Sequence, residues 1–403
     1  MRDAFILAAV RTPRGRGAPE ASKRPGALSR IAPISLVATL IRALRERHPI
    51  DAHVRDVVLG CSTQTGEQGA NIAKIAATYA GLAETTSGVT VNRFCASALD
   101  AVAYAALKVG AGGDDLVLCG GVESMSRVPM MSDRGAWFAD PEVARATGFV
   151  HMGVAADLLA TLRGYSREAL DAVAVESHAR AMRARTSRPR SDDVIPVVDA
   201  DGATALADDE CPRDGVTLES LARFEPAFGA LAAAAGDAPR RVLEGRDLAH
   251  LHTVATSPQP ADGASLLLVG SREAADALGV RPRARVLATA TACVDPTLML
   301  TGNVPAVELA LSRAGVSRER VARFECNESF AATVLDFRER LDLDPARVNP
   351  DGGAIALGHP LGATGGILLA TLLEGLERDG DEVGVASTCA GAGLAQAVVI
   401  ARA

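Results

Sequence analysis

The 403-residue chain is long for one ordinary domain of ~150 residues, and its 48% hydrophobic and 23% charged residues exclude a disordered polymer. A net charge of −7 lacks the basic field that phosphate contacts need, so no nucleic-acid partner is expected. Apolar runs such as Phe5 to Val10 stop far short of the ~18 residues of a membrane span, and Met1-Arg2-Asp3 opens no secretory signal, so the expectation is a cytoplasmic protein with no membrane partner.

Along the chain, short apolar runs alternate with helical patterns, the order expected of parallel strands joined by crossover helices. Residues 54–59 and 115–119 read as strands, and 98–109 as a largely buried helix. The last third repeats this order: 321–326 resembles the first strand and 382–386 the second, both displaced by 267 residues (321 − 54 and 383 − 116). The helix opening at Gly362-Ala363-Thr364-Gly365 falls at the same offset from Cys95-Ala96-Ser97-Ala98. Such self-similarity predicts an α/β protein of duplicated halves, two mixed sheets packed through shared helices, with a site between them.

Between the halves the texture changes. Pro, Gly, Asp and Arg become frequent, Asp208 to Gly215 reads as an irregular loop, 167–185 as helix and 194–198 as strand. The run 261–269 restores a buried strand. The predicted organisation is therefore a first half from 1–124 with 260–282, an inserted loop or lid domain at 125–259, and a second half at 283–403.

Seven cysteines, an odd number without a Cys-x-x-Cys pair, predict reduced thiols and no metal site. No Walker loop or His-Glu-x-x-His helix is present, and Gly15-x-Gly17 lacks the strand-turn-helix setting of a dinucleotide site. Four segments remain that bear chemistry. Cys95 sits where a strand runs into a helix start, a position that favours the thiolate; the bland reading is a buried small residue. His359 lies in the glycine-rich run 349–365, either a base candidate or a structural imidazole. Cys389 follows the strand at 382–386, with the Gly391 amide near it. Asn327, in Asn327-Glu328-Ser329-Phe330, either donates to an oxyanion or caps a turn.

Taken together, Cys95-Ala96-Ser97, Gly120-Gly121-Val122-Glu123-Ser124-Met125-Ser126, Asn327-Glu328-Ser329-Phe330, the run 349–360 and Cys389-Ala390-Gly391-Ala392-Gly393 resemble the thiolase family in identity and order. The resemblance spans nearly the whole chain. It implies a thiolase-type fold and an acyl-CoA C-acyltransferase that makes or cleaves a carbon–carbon bond between acyl thioesters. Coenzyme A thioester is then a substrate, no cofactor is tightly bound, and the protein forms a homodimer or homotetramer. It also implies roles. Cys95 carries the acyl group, His359 takes its proton, and Cys389 moves the Cα proton. One oxyanion hole is at His359 with a water held by Asn327, the other at the amides of Cys95 and Gly391. His151, Met152, Ser257 and Phe330 are implied as coenzyme A contacts.

Two segments depart from the family pattern. Phe224-Glu225-Pro226-Ala227-Phe228 carries Glu225 where the family has a cation near the coenzyme's nucleotide end, and Thr256-Ser257-Pro258-Gln259 puts Pro258 near the pantetheine. Ser329 replaces the family's Ala. With the basic run Arg180, Arg183, Arg185, Arg188 and Arg190, these departures raise an alternative, a biosynthetic condensing enzyme whose acyl groups ride on an acyl carrier protein. A third reading, a thiolase-like scaffold without turnover, leaves the full catalytic set unexplained.

Overall fold

The computed structural model describes residues 2–403. Its strands are Phe5–Arg11 (β1), Gly15–Arg16 (β2), Asp56–Gly60 (β3), Ser87–Val91 (β4), Leu116–Ser124 (β5), Val197–Val198 (β6) and Thr204–Leu206 (β7). They continue as Ala261–Gly270 (β8), Ala284–Cys293 (β9), Arg323–Cys326 (β10), Val383–Cys389 (β11) and Leu394–Arg402 (β12). β3, β5 and β8 are buried along their whole length, which is why they read as continuous apolar runs rather than alternating ones.

The first half orders its main strands β4-β3-β5-β8-β1, and the second β10-β11-β12-β9. β3 runs parallel to β4 and β5, while β8 is antiparallel to β5 and β1. The second half repeats this: β10 is parallel to β11, and β12 is antiparallel to β11 and β9. β3 and β10 begin 267 residues apart (323 − 56), as do β5 and β11 (383 − 116), so the offset in the sequence is a structural repeat. The repeat fails at β9, which starts at 284 rather than 272 because the Arg272–Leu278 helix intervenes, and β4 has no counterpart. The two halves' sheets meet at a seam of only two residue pairs, Phe5 with Arg285 and Ile6 with Ala284.

The shared helices are present. The Leu361–Asp379 helix rests on β5 and β8 of one half and on β10 and β11 of the other. It packs against the Ser97–Gly110 helix so closely that a Cβ on Gly365 would lie 2.6 Å from the Leu99 amide nitrogen. Outside, the Pro33–Arg47 helix buries Leu36, Leu40, Ile41 and Leu44 over the first half, and the Asn303–Ala314 helix covers β9 and β12.

Within 125–259, the Met152–Arg163 and Arg167–Ser187 helices are core rather than lid: Val154, Leu158 and Leu170 share one hydrophobic cluster with Phe330, Val334 and Phe337 of the second half. The loop at 208–215 lacks regular structure but is anchored. Asp209 accepts from Arg11 (2.8 Å) and Arg14 (3.1 Å), and Glu210 from the amides of Arg16 and Ala27. Three of the five arginines are likewise committed to the fold. Arg180 donates to the carbonyls of Pro345, Val348 and Asn349, and Arg188 pairs with Asp351. Of the five, Arg185 and Arg190 alone are without a hydrogen-bond or ion-pair partner among the described residues. Among the described residues, no helix is long and apolar enough to cross a membrane.

Candidate active site

Cys95, His359, Cys389 and Gly391 come together on one cavity of about 330 Å³, with His151, Met152, Ser257 and Phe330 along its wall. Each element delivers its residue for a local reason. The chain leaves β4, turns through Phe94 in the left-handed region (φ 48°), and presents Cys95 two residues before the Ser97–Gly110 helix. Ser97 fixes that turn: its Oγ donates to the Phe94 carbonyl (2.6 Å) and accepts from the Arg93 amide (2.8 Å). Cys389 ends β11, buried, and Gly391 follows in a tight turn.

His359 is held at both ends. Gly358 takes φ 102°, a conformation open to glycine and strained for other residues, and so aims the backbone inward. The His359 amide donates to the Gln259 carbonyl (2.8 Å), and Nδ1 lies 2.7 Å from Thr364 Oγ1 on the next helix. Nε2 is buried without a partner, which leaves it as the working nitrogen. Beneath, Glu123 at the end of β5 accepts four hydrogen bonds, from the amides of Ser62 (2.9 Å), Thr63 (3.1 Å) and Gly362 (2.9 Å) and from Gln68 Nε2 (2.7 Å). It pins the start of the Leu361–Asp379 helix, and hence His359, to the first half. A Cβ on Gly362 would come 2.8 Å from Glu123 Oε2 and 2.7 Å from Cys61 Cα, so this approach requires glycine.

Burial sets the protonation states. It pushes the Cys95 thiol up, against the opposing pull of the Cys95 and Gly391 amides, with the nearby Cys389 and Glu123 adding to the rise. Burial, with Arg14 contributing, pushes His359 down to about 3, and Cys389 rises to about 11. The expectation of a standing thiolate at Cys95 is therefore corrected: the thiol lies just outside the helix, and desolvation outweighs the helix-end amides. The resting pair is a neutral thiol and a neutral imidazole.

Asn327 does not face the cavity. It is fully buried, its Nδ2 donates to Ser329 Oγ (2.9 Å), and its Oδ1 has no partner. Ser329 lines the cavity and lies 3.2 Å from Cys389 Sγ. Along the wall, His151 stacks on Phe228 (5.7 Å, 29°), Phe330 meets Phe228 edge-on at 5.8 Å, and Ser257 Oγ donates to the Thr253 carbonyl. Pro258 lines the cavity; Glu225 is exposed and does not. A second recess shares Cys95, His151 and Gly391 with this cavity and is walled further by Phe94, Met130, Met131, Trp137, Phe138 and Phe149. Sequence reading missed Glu123, Thr364 and this aromatic wall as site elements. Glu123 and Thr364 stand inside motifs quoted for other residues, whereas the wall has no periodicity to betray it.

The thiolase N-terminal domain model matches residues 4–239 and the thiolase C-terminal domain model residues 280–402. The chain belongs to the thiolase family. It is an enzyme, an acyl-CoA C-acyltransferase, with the thiolase-type α/β fold. Curated relatives similar over the full length of both chains include the 3-ketoacyl-CoA thiolase of Escherichia coli K12, 39% identical, and its 3-oxoadipyl-CoA/3-oxo-5,6-dehydrosuberyl-CoA thiolase, 37% identical. Among solved structures, the Bacillus anthracis acetyl-CoA acetyltransferase superposes with a TM-score of 0.85 at 31% identity, covering 100% of this thiolase and 99% of that chain.

Proposed function

We propose that this thiolase works through an acyl-Cys95 intermediate, with His359 as the base for the thiol and Cys389 as the acid/base at Cα. The observation that carries the assignment is the convergence of Cys95, His359, Cys389 and Gly391, drawn from both halves, on one cavity. In the first half-reaction Cys95 Sγ attacks the thioester carbonyl, its proton passes to His359 Nε2, and the carbonyl oxygen takes up negative charge at the amides of Cys95 and Gly391. Because burial disfavours both the thiolate and the imidazolium, proton transfer is coupled to attack. The coenzyme A thiolate then leaves with the proton of Cys389, which is left as a thiolate. In the second, the Cys389 thiolate takes the Cα proton of an acyl thioester and returns to the thiol, the carbanion attacks acyl-Cys95, and the released Cys95 thiolate regains its proton from His359 Nε2; cleavage is the reverse. His359 Nε2, while it carries the proton, donates to the enolate oxygen, and Asn327 acts on Cys389 through Ser329.

His151, Met152, Ser257 and Phe330 are proposed to line the path of the coenzyme A pantetheine. Free coenzyme A thioesters are favoured over a carrier protein, since Arg180 and Arg188 are spent on the fold. We infer the division 1–124 with 260–282, 125–259 and 283–403 as functional units. A homodimer is proposed through β4, an edge strand that carries exposed Val89.

The second recess supports an uncharged, apolar acyl group on Cys95. Asp133 is the one formally charged residue lining it, and a carboxylate-ended chain such as 3-oxoadipyl would meet no cation there. Intact-mass spectrometry with acetyl-CoA and longer acyl-CoAs tests the scheme. Wild type and Cys389→Ala should both gain the acyl mass and Cys95→Ser should not, while Cys389→Ala loses turnover by about 10² or more. An adduct that survives Cys95→Ser, or turnover that survives Cys389→Ala, rejects the corresponding role.

A further inference from the structure

Ser329 stands between two groups of the proposed mechanism. Its Oγ is 2.9 Å from Asn327 Nδ2 and 3.2 Å from Cys389 Sγ, and its side chain lines the cavity in which Cys389 works. An amide nitrogen only donates, so the hydroxyl oxygen accepts from Asn327, and its single proton is free to donate to the sulfur.

We infer that Ser329 is a positioning residue for the carbon-bond step: it relays the polarity of the Asn327 amide to Cys389 and stabilises the Cys389 thiolate that takes the Cα proton. The inference rests on the acid/base role proposed for Cys389. Cys389 becomes that thiolate by giving its proton to the departing coenzyme A and is returned to the thiol by the Cα proton, while Ser329 exchanges none; its O–H···S contact is strongest while sulfur carries the charge.

The surroundings of the sulfur leave this task to Ser329. Asp336, on the Ala331–Arg340 helix, opposes a thiolate at Cys389, and the buried Cys326 thiol on β10 and Cys95 beside it are themselves pushed toward their neutral forms. His359 lines the same cavity in its neutral form. Besides Ser329, the groups favouring the thiolate are the Cys389 amide and the Asn303 side chain, and Ser329 is the largest of the three. The polarity of the relay matters. With the Asn327 amide turned over, the hydroxyl would donate to Asn327 and accept from the Cys389 thiol, and so would favour the neutral form instead.

The sign of one measurement decides. In a Cys95→Ala background, alkylation of Cys389 by iodoacetamide at pH 8.5, located by peptide mass spectrometry, should slow about tenfold on adding Ser329→Ala, because a lost hydrogen bond to a charged group corresponds to about one pH unit. With Cys95 intact, Ser329→Ala should acylate normally, which shows that the variant is folded, while exchange of the acetyl-CoA Cα hydrogens with solvent deuterium falls in step with the labelling. Unchanged or faster labelling of Cys389 overturns the inference. Failure of the underlying reading looks different: Cys389→Ala would itself keep turnover and Cα exchange.

Discussion

Replacing Glu123 by Gln is the sharpest test of how the two halves are tied at the site. Its Oε1 accepts from the Thr63 amide and Gln68 Nε2, and its Oε2 from the amides of Ser62 and Gly362. All four partners are donors, so the glutamine NH2 must face two of them whichever way it turns. Two buried donors then lose their acceptor, each at a cost of about 1–3 kcal/mol. Part of this is offset, because burial already pushes the Glu123 carboxyl up and the neutral amide no longer carries that desolvation cost. A net loss of about 2–4 kcal/mol is expected, which in a protein of this size lowers the melting temperature by several degrees. Glu123→Ala strands all four donors and should fall further. The readouts are differential scanning fluorimetry and the rate of Cys95 acylation, which should also drop because Ser62 borders the acyl recess and Gly362 stands three residues after His359. A Glu123→Gln protein that melts within a degree of wild type and acylates at its rate would show that the carboxylate is not the tie described.

Alkylation of Cys95 in the resting enzyme should keep rising with pH through and beyond pH 9, with no plateau near neutrality, because burial raises this thiol and lowers His359 to about 3; a midpoint near 7 in the stopped-flow labelling rate would contradict this. Trp137→Ala should raise kcat/KM for longer or bulkier acyl groups relative to acetyl, since the indole bounds the recess and lies 3.0 Å from where a Gly391 Cβ would be; an unchanged chain-length profile in steady-state assays would remove Trp137 from specificity. Asp351 is held down at about 2 chiefly by Arg323, with Arg188 and Arg378. A carboxylate whose folded pKa lies below its unfolded value of ~3.9 stabilises the fold above that value and loses the contribution as pH falls through it. Asp351→Asn should therefore lower the melting temperature at pH 7 and flatten its decline between pH 4 and 2, and an equal decline in both proteins would refute the assignment.

The repeat was legible because β3 and β10, and β5 and β11, are buried on both faces and so leave the same unbroken apolar run at the same offset. Cys389 and Asn327 were legible because each sits at the end of one of these runs, His359 because it lies in a glycine-dense turn, and Cys95 because it stands just before a helix start. Three things were not. The helix after His359 starts at Leu361 rather than at Thr364, where the repeat would place it (97 + 267), because Glu123 from another strand captures its Gly362 amide. The arginines at 180 and 188 read as a free basic surface, although carbonyls and a carboxylate more than 150 positions later absorb them. The protonation of Cys95 depends on how completely the two halves close over it, a property of the assembled fold that a helix-start pattern does not encode.

The place of β8 has a consequence for how the chain reaches this state. β8 lies between β5 and β1, yet 136 residues (125–260) separate it from β5. Closing a loop of that length costs on the order of 4 kcal/mol in chain entropy before any ladder hydrogen bond forms. During synthesis β1 and β5 emerge with a vacant position between them, and it is filled only once residue 270 has left the ribosome. The middle of the first sheet is thus completed late, and nascent chains that stall before that point present two apolar strand edges open to mispairing.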